Sequence, residues 1–253
     1  MKILAIGCSF TNYCWPTWAD FLDADNYGLS GIGNDRMFYI FNQLYPKLEL
    51  YDLIVIQWTS PYRFDYKDGK NKSYNGWTVN DGNIAFSESN KDIWKRLSYW
   101  YNEEFEKLRT SHFIQATRAM CNAINKPNYH INMSGDINEF CDQELSLMQK
   151  YKGTYKFKKV LSDRKNHHKD KMGEYTDEHP TIDSHSKIAK LISKKFNVNP
   201  INEQCRLEFL KLHNDITAGK YPDLRDVDDK WREMRHKMEK QRIKKAYPDI
   251  FQL

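Results

Sequence analysis

The sequence has few of the residues on which fibrous, disulfide-rich and membrane proteins depend. Its five cysteines are an odd number without a Cys-x-x-Cys pair, which argues against a disulfide framework and against a zinc ribbon. Eleven glycines in 253 residues are too few for a collagen-like chain. No apolar run approaches the roughly 20 residues that span a bilayer, and the apolar stretch after Met1 is too short for a secretory signal. We therefore expect a cytoplasmic globular protein with reduced thiols and no membrane contact.

Positive charge is in slight excess and is unevenly spread. The net charge is +5, yet residues 150–195 alone hold 13 Lys and Arg against 6 Asp and Glu. Such a stretch could attract phosphate or another anionic group, although a solvated loop is the commoner explanation for a run of charge. We do not expect nucleic acid as a partner, and an anionic small molecule remains open.

Strand and helix patterns alternate along the first 197 residues. Short apolar runs at 2–6, 52–57 and 129–133 are typical of strands, and a shorter segment lies at 24–27. Helical spacing follows from Asn34, over 91–124 with Phe105 and Leu108 among its apolar positions, and over 181–196. This alternation predicts an α/β protein with a parallel sheet.

The remaining segments are predicted from breaks and changes in pattern. Residues 61–90 show no sustained period and are expected to form a long loop, with a hairpin turn at 80–83. A helix is predicted at 142–150, and two more at 202–218 and 227–246. The chain is thus divided into an α/β domain at 1–197 and a C-terminal helical extension at 198–253. The apolar stripes of the extension pack on the main domain or, alternatively, join two copies of the chain.

Chemically active side chains are expected just beyond the carboxyl ends of parallel strands. Ser9 follows the first strand, Gly31 follows the second, and Thr59 and Ser60 follow the third. Asp177 and His179 come from a late loop. A hydroxyl, an imidazole base, a carboxylate and backbone N–H donors are the groups that serine-based acyl transfer requires.

At these residues the sequence resembles the SGNH (GDSL-like) hydrolase superfamily. The matching blocks are Gly7-Cys8-Ser9, Asn26-Tyr27-Gly28-Leu29-Ser30-Gly31 and Asp177-Glu178-His179-Pro180. The resemblance covers residues 1–197 and implies a three-layer α/β/α fold with a short, flavodoxin-like parallel sheet. It also implies that Ser9 is the nucleophile, His179 the base and Asp177 its carboxylate partner, with the N–H groups of Ser9 and Gly31 in the oxyanion hole.

The sequence departs from that family at three points. Cys8 stands where the family usually has Asp, and Asp177 precedes His179 by two residues where three is common. The Asn that usually contributes to the oxyanion hole is missing after the third strand. Its replacement is expected among Thr59, Ser60 and Asn34.

Several alternatives remain open from the residues alone. Ser9 could cap a helix, His179 could be a surface residue, and Cys8 could replace Ser9 as nucleophile. Trp58 and Arg63 are candidate substrate contacts, and Arg63 could instead pair with a carboxylate. His167, His168 and His185 lack the spacing of zinc ligands, so we expect neither a metal nor a cofactor.

The functional prediction is a serine ester hydrolase that works through an acyl-enzyme. The substrate is expected to be a small-molecule or glycan ester, with O-acetyl groups on carbohydrate as one frequent choice in the family. An O-acyltransferase with the same Ser-His site is one alternative. A catalytically silent binding or assembly module is another.

Overall fold

The fold is taken from a computed structural model of the chain. The structure describes residues 1–13, 16–67, 77–80, 102–132, 137–142, 179–180 and 182–198, and isolated positions between 204 and 220. Asp177, the body of the helix predicted at 142–150, the helix at 227–246 and the histidines at 167 and 168 lie outside the described residues. The division into two domains stays a prediction for the same reason.

The described elements alternate between strands and helices. In chain order they are β1 (Ile3–Gly7), α1 (Trp18–Phe21), β2 (Asp25–Asn26), α2 (Asn34–Leu44), a 3₁₀ helix (Tyr45–Leu50), β3 (Leu53–Trp58), β4 (Phe64–Lys67), β5 (Trp77–Asn80), α3 (Glu103–Ala123), β6 (Asn128–Asn132), a second 3₁₀ helix (Asn138–Phe140) and α4 (Ile182–Phe196).

Four of these strands form one parallel sheet in the order β2-β1-β3-β6. β1 and β3 pair from Ile3 with Leu53 to Gly7 with Gln57, and every residue of both strands is buried. Continuous apolar, β-branched runs suit strands that are covered on both faces. The predicted α/β class with a parallel sheet is confirmed. Because the strands are parallel, the carboxyl ends of β1 and β3 lie at the same edge.

Helices cover the sheet with the apolar stripes that their spacing predicts. α2 buries Met37, Ile40, Phe41 and Leu44, and it packs against α3. α4 buries Ile188, Ala189 and Ile192 and packs against α1. This second pair places the start of α4 close to the loop that follows β1.

The helix predicted over 91–124 does not run unbroken through its middle. Asn102 has extended backbone angles, and its side chain accepts the N–H of Phe105 at 3.1 Å, so α3 begins at Glu103. Asn is a favoured N-cap, and the acidic residues Glu103 and Glu104 suit the positive end of the helix dipole. These local interactions start a helix at Glu103, although the helical spacing of apolar residues in the sequence continues across position 102.

The face of α3 that is buried also differs from the prediction. Phe105 and Leu108 are 55% and 51% exposed, whereas Ile114, Thr117 and Cys121 are buried. The buried face carries mostly short side chains, and α3 packs against α2 and β6. The apolar character of Phe105 and Leu108 therefore did not predict which face of the helix is buried.

The long loop predicted at 61–90 contains a pair of strands. β4 and β5 are antiparallel, with Phe64 opposite Asn80 and Lys67 opposite Trp77. Asn80 is the last residue of β5, and the rest of the hairpin turn predicted at 80–83 lies outside the described residues.

A buried histidine links β3 and β6. The Trp58 indole N–H donates to His130 Nδ1 at 2.9 Å, and His130 Nε2 lies 3.1 Å from Asn128 Oδ1. Because Nδ1 accepts, the ring proton sits on Nε2 and the imidazole is neutral. Burial, with a smaller contribution from the Arg118 charge, lowers the pKa of His130 to about 3.

This burial predicts a measurable pH dependence of stability. The folded pKa of His130 lies below its ordinary value of 6.5, so the unfolded chain binds one more proton between those values. The stabilisation from a neutral His130 is therefore complete above pH 6.5 and is lost as pH falls toward 3. In His130→Gln, the slope of unfolding free energy between pH 4 and 6 should be smaller by about 1.4 kcal/mol per pH unit. Urea unfolding at several pH values measures it, and equal slopes in the two proteins would contradict the assignment.

Candidate functional site

The site begins at Ser9, two residues beyond the end of β1. The turn that holds Ser9 is closed by the N–H groups of Thr11 and Asn12, which donate to the Cys8 carbonyl at 2.9 and 3.1 Å. Ser9 keeps 7% of its surface exposed, whereas Cys8 is fully buried. The turn therefore presents the serine and hides the neighbouring thiol.

His179 lies next to Ser9, although the two residues are far apart in the sequence. Its Nε2 lies 2.8 Å from Ser9 Oγ, across 170 residues of sequence. His179 is half-buried and precedes Pro180 and the first turn of α4. The structure thus brings together the predicted nucleophile and the predicted base at hydrogen-bond distance, which is the geometry that proton transfer between them requires. Cys8 has no exposed surface from which its thiol could attack a substrate, so the structure favours Ser9 over Cys8 as the nucleophile.

Two aromatic rings pack against His179. Neither was predicted as a site residue from the sequence. Tyr13 stacks on the imidazole with ring centroids 3.8 Å apart and an angle of 16° between the planes. Phe10 meets it edge to face at 5.1 Å and 63°. Both rings belong to the segment that follows Ser9, so one loop supplies the hydroxyl and the walls around the base. Their closeness to Ser9 in sequence is the one signal that could have identified them.

A buried amide at the end of β3 fixes the loop after β1. Gln57 is fully buried, and its Oε1 accepts the Thr11 hydroxyl at 2.8 Å and the Trp18 indole N–H at 3.0 Å. Thr17 adds a bond from its hydroxyl to the Thr11 carbonyl at 2.5 Å. A buried polar group is costly unless it is hydrogen-bonded, so this cluster holds one arrangement of the loop. Sequence reasoning included Gln57 in a strand and missed its role.

The loop after β2 is held against the loop after β1. Asn26 Nδ2 donates to the Thr11 carbonyl at 2.6 Å, and Asn12 Nδ2 donates to the Gly28 carbonyl at 2.7 Å. A Cβ at Gly28 would lie 2.9 Å from the Cβ atoms of both Thr11 and Asn12. Glycine is therefore required at 28 by this close approach.

Gly31 lies further along the same loop in a different setting. Its φ is +81°, a conformation that L-residues adopt at a cost, while no heavy atom lies within 4 Å of the position of a Cβ. Gly31 is exposed. Its conformation, and not crowding, selects glycine here.

Asp65 of β4 anchors the passage from this loop into α2. Its carboxylate accepts the N–H of Gly33 and the N–H of Arg36, each at 3.0 Å. These are N–H groups at the start of a helix, where a carboxylate is favourable. Burial nevertheless raises the pKa of Asp65 to about 6. A residue from the loop predicted at 61–90 thus positions the candidate oxyanion segment.

Asn34, one of the three predicted replacements for the missing Asn, has another task. Its Oδ1 accepts the Thr59 N–H at 2.9 Å, and its Nδ2 donates to the Thr59 carbonyl at 3.1 Å and lies 3.2 Å from Thr110 Oγ1. Asn34 therefore ties the end of β3 to α2 and α3, and its amide protons are used there. This corrects its prediction as an oxyanion donor.

Thr59 and Ser60 differ in exposure. Thr59 has no exposed surface, and its backbone N–H is bound to Asn34, which places it in the core. Ser60 is half-buried, and its Oγ accepts the N–H of Tyr62 at 3.3 Å, so its own proton is available to another acceptor. Of the three predicted replacements, Ser60 is the one whose surroundings allow the role.

Trp58 and Arg63, the two predicted substrate contacts, differ in burial. Trp58 is fully buried and its N–H is bound to His130, so it is a core residue and the prediction of a substrate contact is corrected. Trp58 is the last residue of the apolar strand β3. The sequence pattern does not show whether the ring of a residue at a strand end points into the core or toward a site. Arg63 is half-buried in the turn after β3, and its N–H donates to the Ser60 carbonyl at 3.1 Å.

A second histidine lies near the base. His185 of α4 is fully buried, and neither ring nitrogen has a hydrogen-bond partner among the described residues. Burial, and to a lesser degree the charge of the nearby His179, lowers the pKa of His185 to about 3. At neutral pH it is therefore uncharged and adds no positive charge beside His179.

The described residues contain neither a metal-binding cluster nor a membrane-spanning helix. No three His, Cys, Asp or Glu side chains in that part of the chain are grouped so as to hold a metal ion. Within the same residues, no helix has the length and apolar character needed to cross a membrane.

Comparison with known proteins gave no match. No family model, no curated protein and no solved structure matches the chain. The resemblance in the three sequence blocks therefore stays a prediction.

Proposed function

We propose that the protein is a serine ester hydrolase that works through an acyl-enzyme. The observation that carries the proposal is the 2.8 Å separation between Ser9 Oγ and His179 Nε2. A serine at the end of a parallel strand, within hydrogen-bond reach of an imidazole, is the minimum arrangement for an activated nucleophile. The burial of Cys8 supports Ser9 over the thiol beside it.

In the first half-reaction, His179 Nε2 takes the proton from Ser9 Oγ while Oγ forms a bond to the ester carbonyl carbon. The carbonyl π electrons move to the oxygen and give a tetrahedral oxyanion. When the C–O bond to the alcohol breaks, His179 returns its proton to the departing oxygen. The products are a Ser9 ester and a free alcohol.

Water completes the cycle by the same route. His179 takes one proton from water as the oxygen attacks the acyl carbon. Collapse of the second oxyanion breaks the bond to Ser9 Oγ, which recovers the proton, and a carboxylic acid leaves. A sugar hydroxyl in place of water would make the reaction an O-acyl transfer, because the same acyl-enzyme serves both outcomes.

The oxyanion is proposed to be held by backbone N–H groups of Ser9 and Gly31 and by the Ser60 hydroxyl. The left-handed backbone and exposed position of Gly31 support the second of these donors. The available proton of Ser60 supports the third. Asp177 is proposed as the carboxylate that orients the imidazole, from its position two residues before His179 in the sequence.

The finer fold and the substrate belong to the same proposal. The pairs α1 with α4 and α2 with α3 support helices on both faces of the sheet, and with them a three-layer, flavodoxin-like domain. The proposed substrates are small-molecule or glycan esters, O-acetyl sugars among them. The basic residues between 150 and 195 favour an anionic one. Association of two copies through the C-terminal helices is also proposed.

The nucleophile and the base are tested by two variants and one probe. Ser9→Ala and His179→Ala should each lower the rate of p-nitrophenyl acetate hydrolysis by at least about a thousandfold. The hydroxyl and the imidazole act together in proton transfer, so the loss of either one removes the function of the pair. Ser9→Ala should also abolish labelling by a fluorophosphonate. Cys8→Ala is the matched control and should keep labelling, because its sulfur is buried.

The outcomes separate the alternatives. Labelling that persists in Ser9→Ala would contradict the nucleophile assignment. A folded wild-type protein that takes no label would instead favour the silent binding module. Release of acetylated sugar in place of acetate, when a sugar is added, would assign the transferase.

The oxyanion donor is tested at Ser60. Removing one such donor in a protease costs about 10²–10³ in rate, and a similar loss in kcat is expected for Ser60→Ala with KM little changed. Ser60→Thr retains the hydroxyl and should recover most of the rate. Ser30→Ala, which removes an exposed hydroxyl bonded to the Asn12 carbonyl, is the control. Equal kcat for Ser60→Ala and wild type would remove Ser60 from the site.

A further inference from the structure

Tyr13 lies face to face with the base. The centroids of its ring and of the His179 ring are 3.8 Å apart, and the planes are within 16° of parallel. A parallel stack of two uncharged rings is stabilised mainly by apolar contact, because the negative faces of the rings do not attract each other. The contact between Phe10 and His179 has the edge-to-face form.

The stack gains electrostatic attraction when the imidazole carries a proton. A cation within about 6 Å of a ring centroid is attracted to the negative face of that ring, and the attraction grows as water is excluded. His179 is half-buried, and His185 beside it is uncharged at neutral pH. An imidazolium at 179 would therefore find an electron-rich face on one side and no positive charge from His185.

The surrounding loop holds Tyr13 in place independently of His179. Its neighbour Asn12 donates to the Gly28 carbonyl at 2.7 Å, and Thr11 donates to Gln57 at 2.8 Å. Two consecutive residues before Tyr13 are thus bound, one to strand β3 and the other to the loop after β2. These bonds hold the backbone that carries the Tyr13 ring.

We propose that Tyr13 is a positioning residue whose ring face selectively stabilises the protonated form of His179, the form in which the base holds the proton taken from Ser9 or from water. The inference rests on the proposed hydrolase function. Interactions that are stronger in the transition state than in the ground state raise kcat and leave substrate binding unchanged. Tyr13 should therefore act on kcat and have little effect on KM.

The first test changes the ring. Tyr13→Leu removes the π face and should lower kcat for p-nitrophenyl acetate by about 3- to 30-fold, the range that corresponds to a cation–π contact. Tyr13→Phe keeps the face and should stay within about threefold of wild type. Tyr45→Leu is the matched control. Tyr45 is half-buried, and the centroid of its ring lies 6.2 Å from that of the Phe41 ring. That variant should lower Tm with kcat unchanged.

The second test changes the electrons of the ring and keeps its shape. Phenylalanine analogues with one, two, three and five ring fluorines, placed at position 13 by nonsense suppression, withdraw negative charge from the face step by step. The logarithm of kcat, and that of the rate of fluorophosphonate labelling, should fall steadily along the series while Tm stays nearly constant. Packing alone predicts no such trend.

The outcomes distinguish this inference from the function on which it rests. An active wild type with a flat fluorine series overturns the role of Tyr13 and leaves the hydrolase proposal standing. An unlabelled wild type overturns both. A loss that appears in KM and not in kcat assigns Tyr13 to substrate binding and also overturns the inference.

Discussion

The buried amide of Gln57 is the interaction on which the site depends most. Gln57 is the last residue but one of β3 and lies opposite Gly7 of β1, and its Oε1 accepts bonds from Thr11 and Trp18. The strand that supplies Gln57 is part of the rigid core, whereas the groups bound to it belong to the loop of Ser9 and to α1. The amide therefore converts the register of two parallel strands into a defined position for a loop. Without that fixed point, a hydroxyl on a loop would sample many positions, and few of them would meet His179.

A second set of constraints joins three separate segments at the same edge. Asn26 and Asn12 bind the loops after β1 and β2 to each other, and Asp65 holds the beginning of α2. The site is thus assembled from short polar bonds around the largely apolar strands β1 and β3. In such an arrangement Ser9 and His179 are held close together while the imidazole stays partly exposed. Aromatic walls from Phe10 and Tyr13 reduce the water around that base and give its charged form a favourable face.

Sequence reasoning succeeded where the pattern was local and repetitive. Runs of buried β-branched residues predicted β1 and β3, and the spacing of Met37, Ile40 and Leu44 predicted α2. It failed where packing against a distant element decided the outcome. Phe105 and Leu108 have the stronger apolar character, yet α3 buries a different face with shorter side chains. Asn34 has the right chemistry for an oxyanion donor, and only the path of the β3 exit shows that its amide is already bound.

The sequence by itself determined the class of fold and the two groups at the centre of the site. Hydrophobic periodicity reports which residues leave water, and short motifs at strand ends report where polar groups emerge. Tertiary structure alone decided which of those polar groups meet. The 2.8 Å contact between Ser9 and His179, the stacking of Tyr13 and the burial of Trp58 depend on contacts across distant parts of the chain. Such contacts are set by the summed packing of the sheet and helices, which no local pattern of residues encodes.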